Sequence, residues 1–323
     1  MLCSFAAGAQ QEKPYALRVE VALVNLDVAV VDGRGQFVGG LGERNFRVFE
    51  DGREQAISHF ASIEAPLRLA LLVETSPAVY LIRGDYLHAV HRLLDSLKPG
   101  DAVALARYDQ HWQVVSGFTR DKTWLRNQLR SLDYSLGVAE LNLFDALAQT
   151  LDWLAPSEDS IPGRKAVLLV GTGLDTRSQM ARAVVEEKLA ASQVTLFAIA
   201  TGSLLRAPPE EKAGRKRKRA RGRPEVLGQA EADAAFAAAD ARLKAFAEQT
   251  GGRAYFPRTS AELGVAYQEI GERLRHTYSL GYVPTNRARA GAFRAVRVAL
   301  VGDDGRPLPY RVIARRGYVA PRD

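Results

Sequence analysis

The sequence predicts an α/β chain: a doubly wound, mostly parallel sheet, with a small β-sandwich formed by the segments on either side. Three observations carry this expectation. The runs Leu67–Glu74 (LRLALLVE), Lys165–Gly171 (KAVLLVG) and Val194–Ala200 (VTLFAIA) are short and continuously apolar, as strands buried on both faces are. Segments with helical spacing separate them, which calls for crossover connections over a parallel sheet. The flanks, residues 17–64 and 277–323, carry β patterning with no helical period.

Taken in order, residues 17–31 (LRVEVALVNLDVAVV) alternate apolar and polar and are rich in valine, which predicts a long strand. Asp32-Gly33-Arg34-Gly35 is a turn, Phe46–Glu50 a second strand closed by Asp51-Gly52, and Gln55–Ile63 a third. After the buried strand 67–74, a helix is expected over Arg83–Leu97, stopped by Lys98-Pro99-Gly100. Asp101–Tyr108 and Trp112–Phe118 are joined too tightly for a crossover helix, so this pair should be antiparallel. Asp121 caps a helix running to Leu132, and Leu141–Leu154 forms another. A helix over Ser178–Ser192 follows the strand 165–171. Ala230–Gln249 is an alanine-rich helix ended by Thr250-Gly251-Gly252, Ala254–Phe256 a last short parallel strand, and Ser260–Arg275 a last helix. Thr277–Val283, Phe293–Val301 and Tyr310–Tyr318 return the chain to β structure. The expected organisation is a leader remnant and linker (1–16), an N-terminal β segment (17–64), an α/β unit (66–276), and a C-terminal β segment (277–323). The last pairs with 17–64, because neither flank alone has strands enough for a stable core.

Composition narrows the function classes. The 323 residues are 47% hydrophobic and 25% charged, values that exclude wholesale disorder and a collagen-like chain. The single cysteine, Cys3, excludes a disulfide framework and a cysteine-based zinc cluster. The formal net charge of +7 comes from 44 basic and 37 acidic residues. All of the excess sits in one run, Arg215, Lys216, Arg217, Lys218, Arg219, Arg221 and Arg223, so the rest of the chain is neutral. The run belongs to an insertion, about 203–228, whose Pro, Gly, Lys and Arg content cannot bury apolar surface and reads as a mobile loop. At the N-terminus, Ala7-Gly8-Ala9 before Gln10 has the small-x-small form of a signal-peptidase site behind the apolar Leu2–Ala7. This reads as the tail of a signal peptide that begins upstream, giving a periplasmic or secreted protein. No apolar run of about 18 residues follows, so no membrane span is expected.

A wider set of motifs carries a resemblance. VNLDVAVVDGRG, NFRVFEDGREQAISHF, the apolar strand before Glu74, LFDAL, TGGRAYF and the closing YSLGYVPT, FRAVRVAL and ARRGYVAP occur in this order over nearly the whole chain. Together they resemble the von Willebrand factor type A fold, and within it a bacterial group of related proteins common in Acidobacteria. The resemblance implies a six-stranded sheet of order 3-2-1-4-5-6, counted along the α/β unit. It also implies a metal-ion-dependent adhesion site: Asp-x-Ser-x-Ser after the first strand, a Thr before the LFDAL helix and an Asp after the fourth strand. On this chain those positions are Glu74, Ser76, Ala78, Leu141 and Thr172. Ala78 and Leu141 cannot ligate, Glu74 extends its carboxylate by one methylene, and Thr172 offers a neutral hydroxyl. Magnesium wants an octahedron of hard oxygens, so this degenerate set is expected to hold no metal, and no cofactor is expected. Asp175 and Asp145 are the only nearby substitutes. Asp175 reads as a loop cap and Asp145 as a helix-start residue favoured by the dipole.

Other candidates have plainer explanations. His88 and His91 lie at i, i+3 with no acidic third ligand and read as surface histidines. Gly33-x-Gly35-x-x-x-Gly39 breaks the dinucleotide spacing, Ser76 lacks a nucleophile elbow, and no Walker A sequence occurs. Nothing assembles a nucleophile, a base and an orienting acid, so no enzyme is expected. The function read from the sequence is a protein-binding module of adhesion type, contacting an unidentified protein at the carboxyl edge of the sheet. The alternative is binding of a polyanion, a nucleic acid or an anionic surface through Arg215–Arg223.

Overall fold

The computed structural model describes residues 23–61, 66–135, 140–155, 164–206, 229–286 and 291–320. The leader expectation, Cys3 and the basic run 215–223 lie outside the described residues. The N-terminal part supplies β1 (Val24–Val31), a 3-10 turn at Glu43–Asn45, β2 (Phe46–Glu50), β3 (Arg53–Gln55) and β4 (Ile57–Ala61). The α/β unit runs through β5 (Leu67–Glu74), α1 (Pro77–Tyr80), α2 (Arg83–Ser96), β6 (Ala102–Tyr108), β7 (Trp112–Thr119), α3 (Lys122–Arg130) and α4 (Leu143–Trp153). It continues with β8 (Arg164–Gly171), α5 (Arg182–Ala191), β9 (Val194–Ala200), α6 (Gly202–Arg206), α7 (Gln229–Gln249), β10 (Ala254–Tyr255) and α8 (Ser260–Arg275). The C-terminal part adds β11 (Tyr278–Tyr282), β12 (Phe293–Leu300), β13 (Arg311–Ile313) and β14 (Gly317–Val319).

The six-stranded sheet has the order β10-β9-β8-β5-β6-β7, parallel throughout except for the antiparallel edge strand β7. Counted along the α/β unit this is 3-2-1-4-5-6, the order implied by the resemblance. Because β5, β8 and β9 are apolar on both faces, two helical layers cover them. On one face Leu69, Leu71, Leu168 and Ile199 pack with Tyr86 and Leu93 of α2, Leu125 of α3, and Tyr267 and Ile270 of α8. On the other, Ala70, Leu72, Leu169 and Leu196 pack with Leu147 of α4, Leu189 of α5, and Leu243 and Phe246 of α7.

The flanks close a sandwich of two four-stranded sheets, β13-β1-β11-β4 and β14-β12-β2-β3. Alternate residues of β1, β11, β2 and β12 fill its core, among them Leu26, Val28, Phe46, Val48, Leu280 and Val298. At one end of this core the buried Glu50 carboxylate accepts hydrogen bonds from Tyr282 Oη (2.7 Å), Tyr318 Oη (2.8 Å) and Arg294 Nη1 (3.2 Å). A buried charge held by three donors of this kind is satisfied rather than stranded.

The structure departs from the sequence expectations in several places. The strand expected over 55–63 is two strands, because the chain changes sheets at Ala56: β3 pairs with β2 and β4 with β11. The strand expected over 310–318 likewise divides into β13 and β14, in opposite sheets. Between them Arg315 turns its guanidinium onto the carbonyls of Leu189 and Ala190 at the end of α5. The helix expected from Ser178 starts at Arg182, since the Ser178 hydroxyl is taken by Asp175 and by the N–H groups of Phe144 and Asp145. The first residues of the insertion expected from 203 belong instead to α6, and 207–228 lies outside the described residues. The short helix α1, with Ser76 as its N-cap and Pro77 at its first position, has no expected counterpart.

Candidate functional site

Glu74 ends β5 at the carboxyl edge of the sheet, beside the point where the strand order reverses, which is where doubly wound folds bind ligands. Its side chain is 0% exposed. Oε1 accepts a hydrogen bond from the Ser76 hydroxyl at 2.6 Å. Oε2 accepts from Thr172 N–H at 2.6 Å, from the Thr172 hydroxyl at 2.8 Å and from the Tyr108 hydroxyl at 3.2 Å. Ser76 also accepts from Val79 N–H to cap α1. Burial pushes the Glu74 carboxyl above the usual carboxylate range, against these four hydrogen bonds, and raises the Tyr108 hydroxyl well above its own. Gly171 permits the closeness: a Cβ there would stand 2.6 Å from Glu74 Oε2 and 2.7 Å from Tyr108 Oη.

The structure therefore brings together three of the five positions singled out in the sequence, Glu74, Ser76 and Thr172. Ala78 sits half-buried on α1, and Leu141 is buried, its backbone joined to Thr176 and Arg177. Asp175 is not part of the Glu74 cluster. It accepts from Ser178 Oγ and from Phe144 N–H, and so caps the first turn of α4. Asp145 lies in the first turn of α4, as expected of a helix-start residue, and its carboxylate also accepts from the N–H groups of Gln179 and Met180, tying α4 to the loop after β8. Tyr108, absent from the sequence reading, is the fourth member, and the parallel register sets it directly opposite Glu74.

Around this centre the loops interlock. Asp109 accepts from Ser135 Oγ at 2.5 Å, from His111 N–H at 3.0 Å and from Thr75 Oγ1 at 3.4 Å. Burial pushes its carboxyl up, but the Ser135 and His111 hydrogen bonds and the nearby Arg107 outweigh this and hold it below the usual range. Arg242 donates to Gly173 O and lies over the Phe144 ring. At the rim, Tyr80 and Leu81 are 46% and 80% exposed, at the C-terminal end of the helix that Ser76 caps.

A divalent cation at an adhesion site of this fold needs several open oxygen ligands and one position left for a partner. Here both oxygens of the one carboxylate already accept from protein donors, three of them at Oε2, where the tyrosine hydroxyl and Gly171 crowd in. The residues present do not fit a bound magnesium ion. Among the described residues no group of three or more His, Cys, Asp or Glu could hold a metal. His88 is exposed, whereas His91 is half-buried rather than on the surface; burial and the adjacent Arg130 and Arg126 push its imidazole below the usual histidine range.

The strand order, the single antiparallel edge and the position of Glu74 at the switch point decide the fold. It is that of a von Willebrand A domain. No family model and no curated protein matches the chain by sequence. Solved structures with a similar backbone include the conserved hypothetical protein BatB from Bacteroides thetaiotaomicron (13% identity, TM-score 0.46), which covers 64% of this chain and 98% of that one. A von Willebrand factor type A protein from Catenulispora acidiphila (12%, 0.45) covers 93% and 74%. The vWF domain of the type V pili tip protein Mfa5 from Porphyromonas gingivalis (19%, 0.32) covers 38% and 44%. These likenesses are of fold alone. No described helix is long and apolar enough to cross a membrane.

Proposed function

We propose that the chain is a non-enzymatic, exported binding module of adhesion type, which engages a protein partner at the carboxyl edge of its von Willebrand A sheet without a bound metal. The observation that carries this reading is the closed Glu74–Ser76–Thr172–Tyr108 cluster standing beside exposed Tyr80 and Leu81. A contact that does not run through a cation must draw on apolar and polar surface, and an exposed leucine and tyrosine at the rim supply an anchor of that kind. Two measurements test it. Calorimetric titration with magnesium or manganese is expected to show no binding; stoichiometric micromolar binding that disappears in Glu74→Gln would overturn the reading. Capture of a partner from the envelope fraction should be unaffected by EDTA and reduced by Leu81→Asp. Export is supported by Ala7-Gly8-Ala9 and is tested by N-terminal sequencing of the mature protein.

A second reading is polyanion binding through Arg215, Lys216, Arg217, Lys218, Arg219, Arg221 and Arg223. One observation favours it: the seven basic residues occur within nine positions, with no acidic residue among them. Replacing the run with Gly and Ser should abolish salt-sensitive retention on heparin resin; unchanged retention removes this reading.

A further inference from the structure

At the opposite, amino edge of the sheet, the von Willebrand A unit meets the sandwich across a cleft. The first residues of β8 and β9, Arg164, Lys165 and Thr195, face Asn25 and Asp27 of β1, with Arg315 beside them, around a partly open cavity of about 230 Å³. A smaller recess shares Asp27, Arg164 and Thr195 with it and reaches Arg273. Four cationic side chains thus line the cleft against one carboxylate, with His59 on its rim.

That balance is not settled within the protein. Among the described residues none of these five charged groups takes part in an ion pair. Arg315 spends its donors on the carbonyls of Gly317, Leu189 and Ala190, and Lys165 donates to Leu154 O. Carbonyl oxygens satisfy these donors but carry no net charge. Arg164 donates through Nη2 to Leu274 O, while its buried Nε has no hydrogen-bond partner. Asp27 accepts from the Thr195 hydroxyl at 3.3 Å. Burial pushes Lys165, Arg273 and Arg315 down and Asp27 up, and the attraction of Asp27 to Arg164 and Arg315 offsets this only in part. Buried charge of one sign is stabilised when an opposite charge and the missing hydrogen bonds are supplied together.

We propose that this cleft is a binding site for a small oxyanion, a carboxylate or a phosphate, held by the Arg164 guanidinium within the field of Arg315, Arg273 and Lys165. The cavity is smaller than the roughly 300–1,000 Å³ typical of drug-sized ligands, so the ligand is a compact anion or the anionic end of a longer molecule reaching in past His59. The site lies at the edge of the sheet away from Glu74, and its occupancy is independent of the protein contact proposed there. The ligand would touch both the sheet and the sandwich, coupling the two units.

Calorimetric titration of the full chain at pH 8 with inorganic phosphate, and separately with succinate, tests this. Saturable binding of at least one is expected, and which one binds separates a phosphate ligand from a carboxylate one. Arg164→Gln should weaken binding at least tenfold. Asp27→Asn, which removes the single carboxylate of the cleft without changing its shape, should tighten binding by roughly threefold to tenfold through lost repulsion. Binding through Arg215–Arg223 would be indifferent to both substitutions. Absence of binding to either anion overturns the proposal, and so does binding that Asp27→Asn leaves unchanged or weakens. Should Arg164→Gln fail to fold, Asp27→Asn alone decides.

Discussion

Glu74 is a carboxyl group kept in a place that suits its neutral form. Its folded pKa is raised by burial, so in the interval above the ordinary glutamate value the unfolded chain releases a proton that the folded chain retains. The stabilisation is fully present below the unfolded pKa and is lost as pH rises through the folded one. Glu74→Gln keeps the shape and offers an amide oxygen to Thr172 and an amide N–H to Ser76. Urea unfolding should therefore find the variant equal to the parent near pH 4 and more stable near pH 8. A variant that loses stability equally at both pH values would mean that folding does not shift the carboxyl's pKa, and a larger loss near pH 8 that folding lowers it. The neighbouring Gly171 gives a second residue-level outcome. A methyl there meets Glu74 Oε2 and Tyr108 Oη well inside contact distance, and Gly171→Ala should cost about 1–3 kcal/mol in the same assay.

Among the elements, α3 shows how a local signal becomes structure. Asp121 accepts from Trp124 N–H at 2.9 Å and satisfies one of the free donors of the first turn, so Asp121→Ala should lower stability by about 1 kcal/mol. The loss should appear as faster amide exchange over residues 122–125. This cap was legible in the sequence because it needs only neighbours three residues apart, and β5, β8 and β9 were legible because burial on both faces leaves an unbroken apolar run. The changes of sheet at Ala56 and around Arg315 were not. In both places a strand leaves one sheet for the other while the side chains on each side still face one common core, so the pattern along the chain does not register the change of partner. Ser178 misled for a different reason: it has the form of an N-cap, but Asp175 and the start of α4 claim its hydroxyl. The candidate site divides in the same way. Glu74, Ser76 and Thr172 follow from their positions after strands, whereas Tyr108 is 34 residues from Glu74 and joins it only through strand register.

For the whole molecule, the α/β unit is inserted between the two halves of the sandwich, and Arg315 is a principal tie between the units. Arg315→Ala leaves the Leu189 and Ala190 carbonyls without that donor and removes a buried side chain from the junction. A loss of about 1–3 kcal/mol is expected, and calorimetry should show the sandwich melting ahead of the α/β unit instead of together with it. The register that pairs Val24 with Tyr282 has one more consequence, for the timing of folding. On the ribosome the α/β unit has its whole sheet once β10 has emerged, while β1 and β4 still wait for β11. Until then the first-made strands present unpaired edges and an uncovered apolar face, the condition in which nascent chains aggregate. A message cut short before Tyr278 would yield a finished centre with β1 to β4 left open and adhesive, so the strands translated after the α/β unit are what cover those made before it.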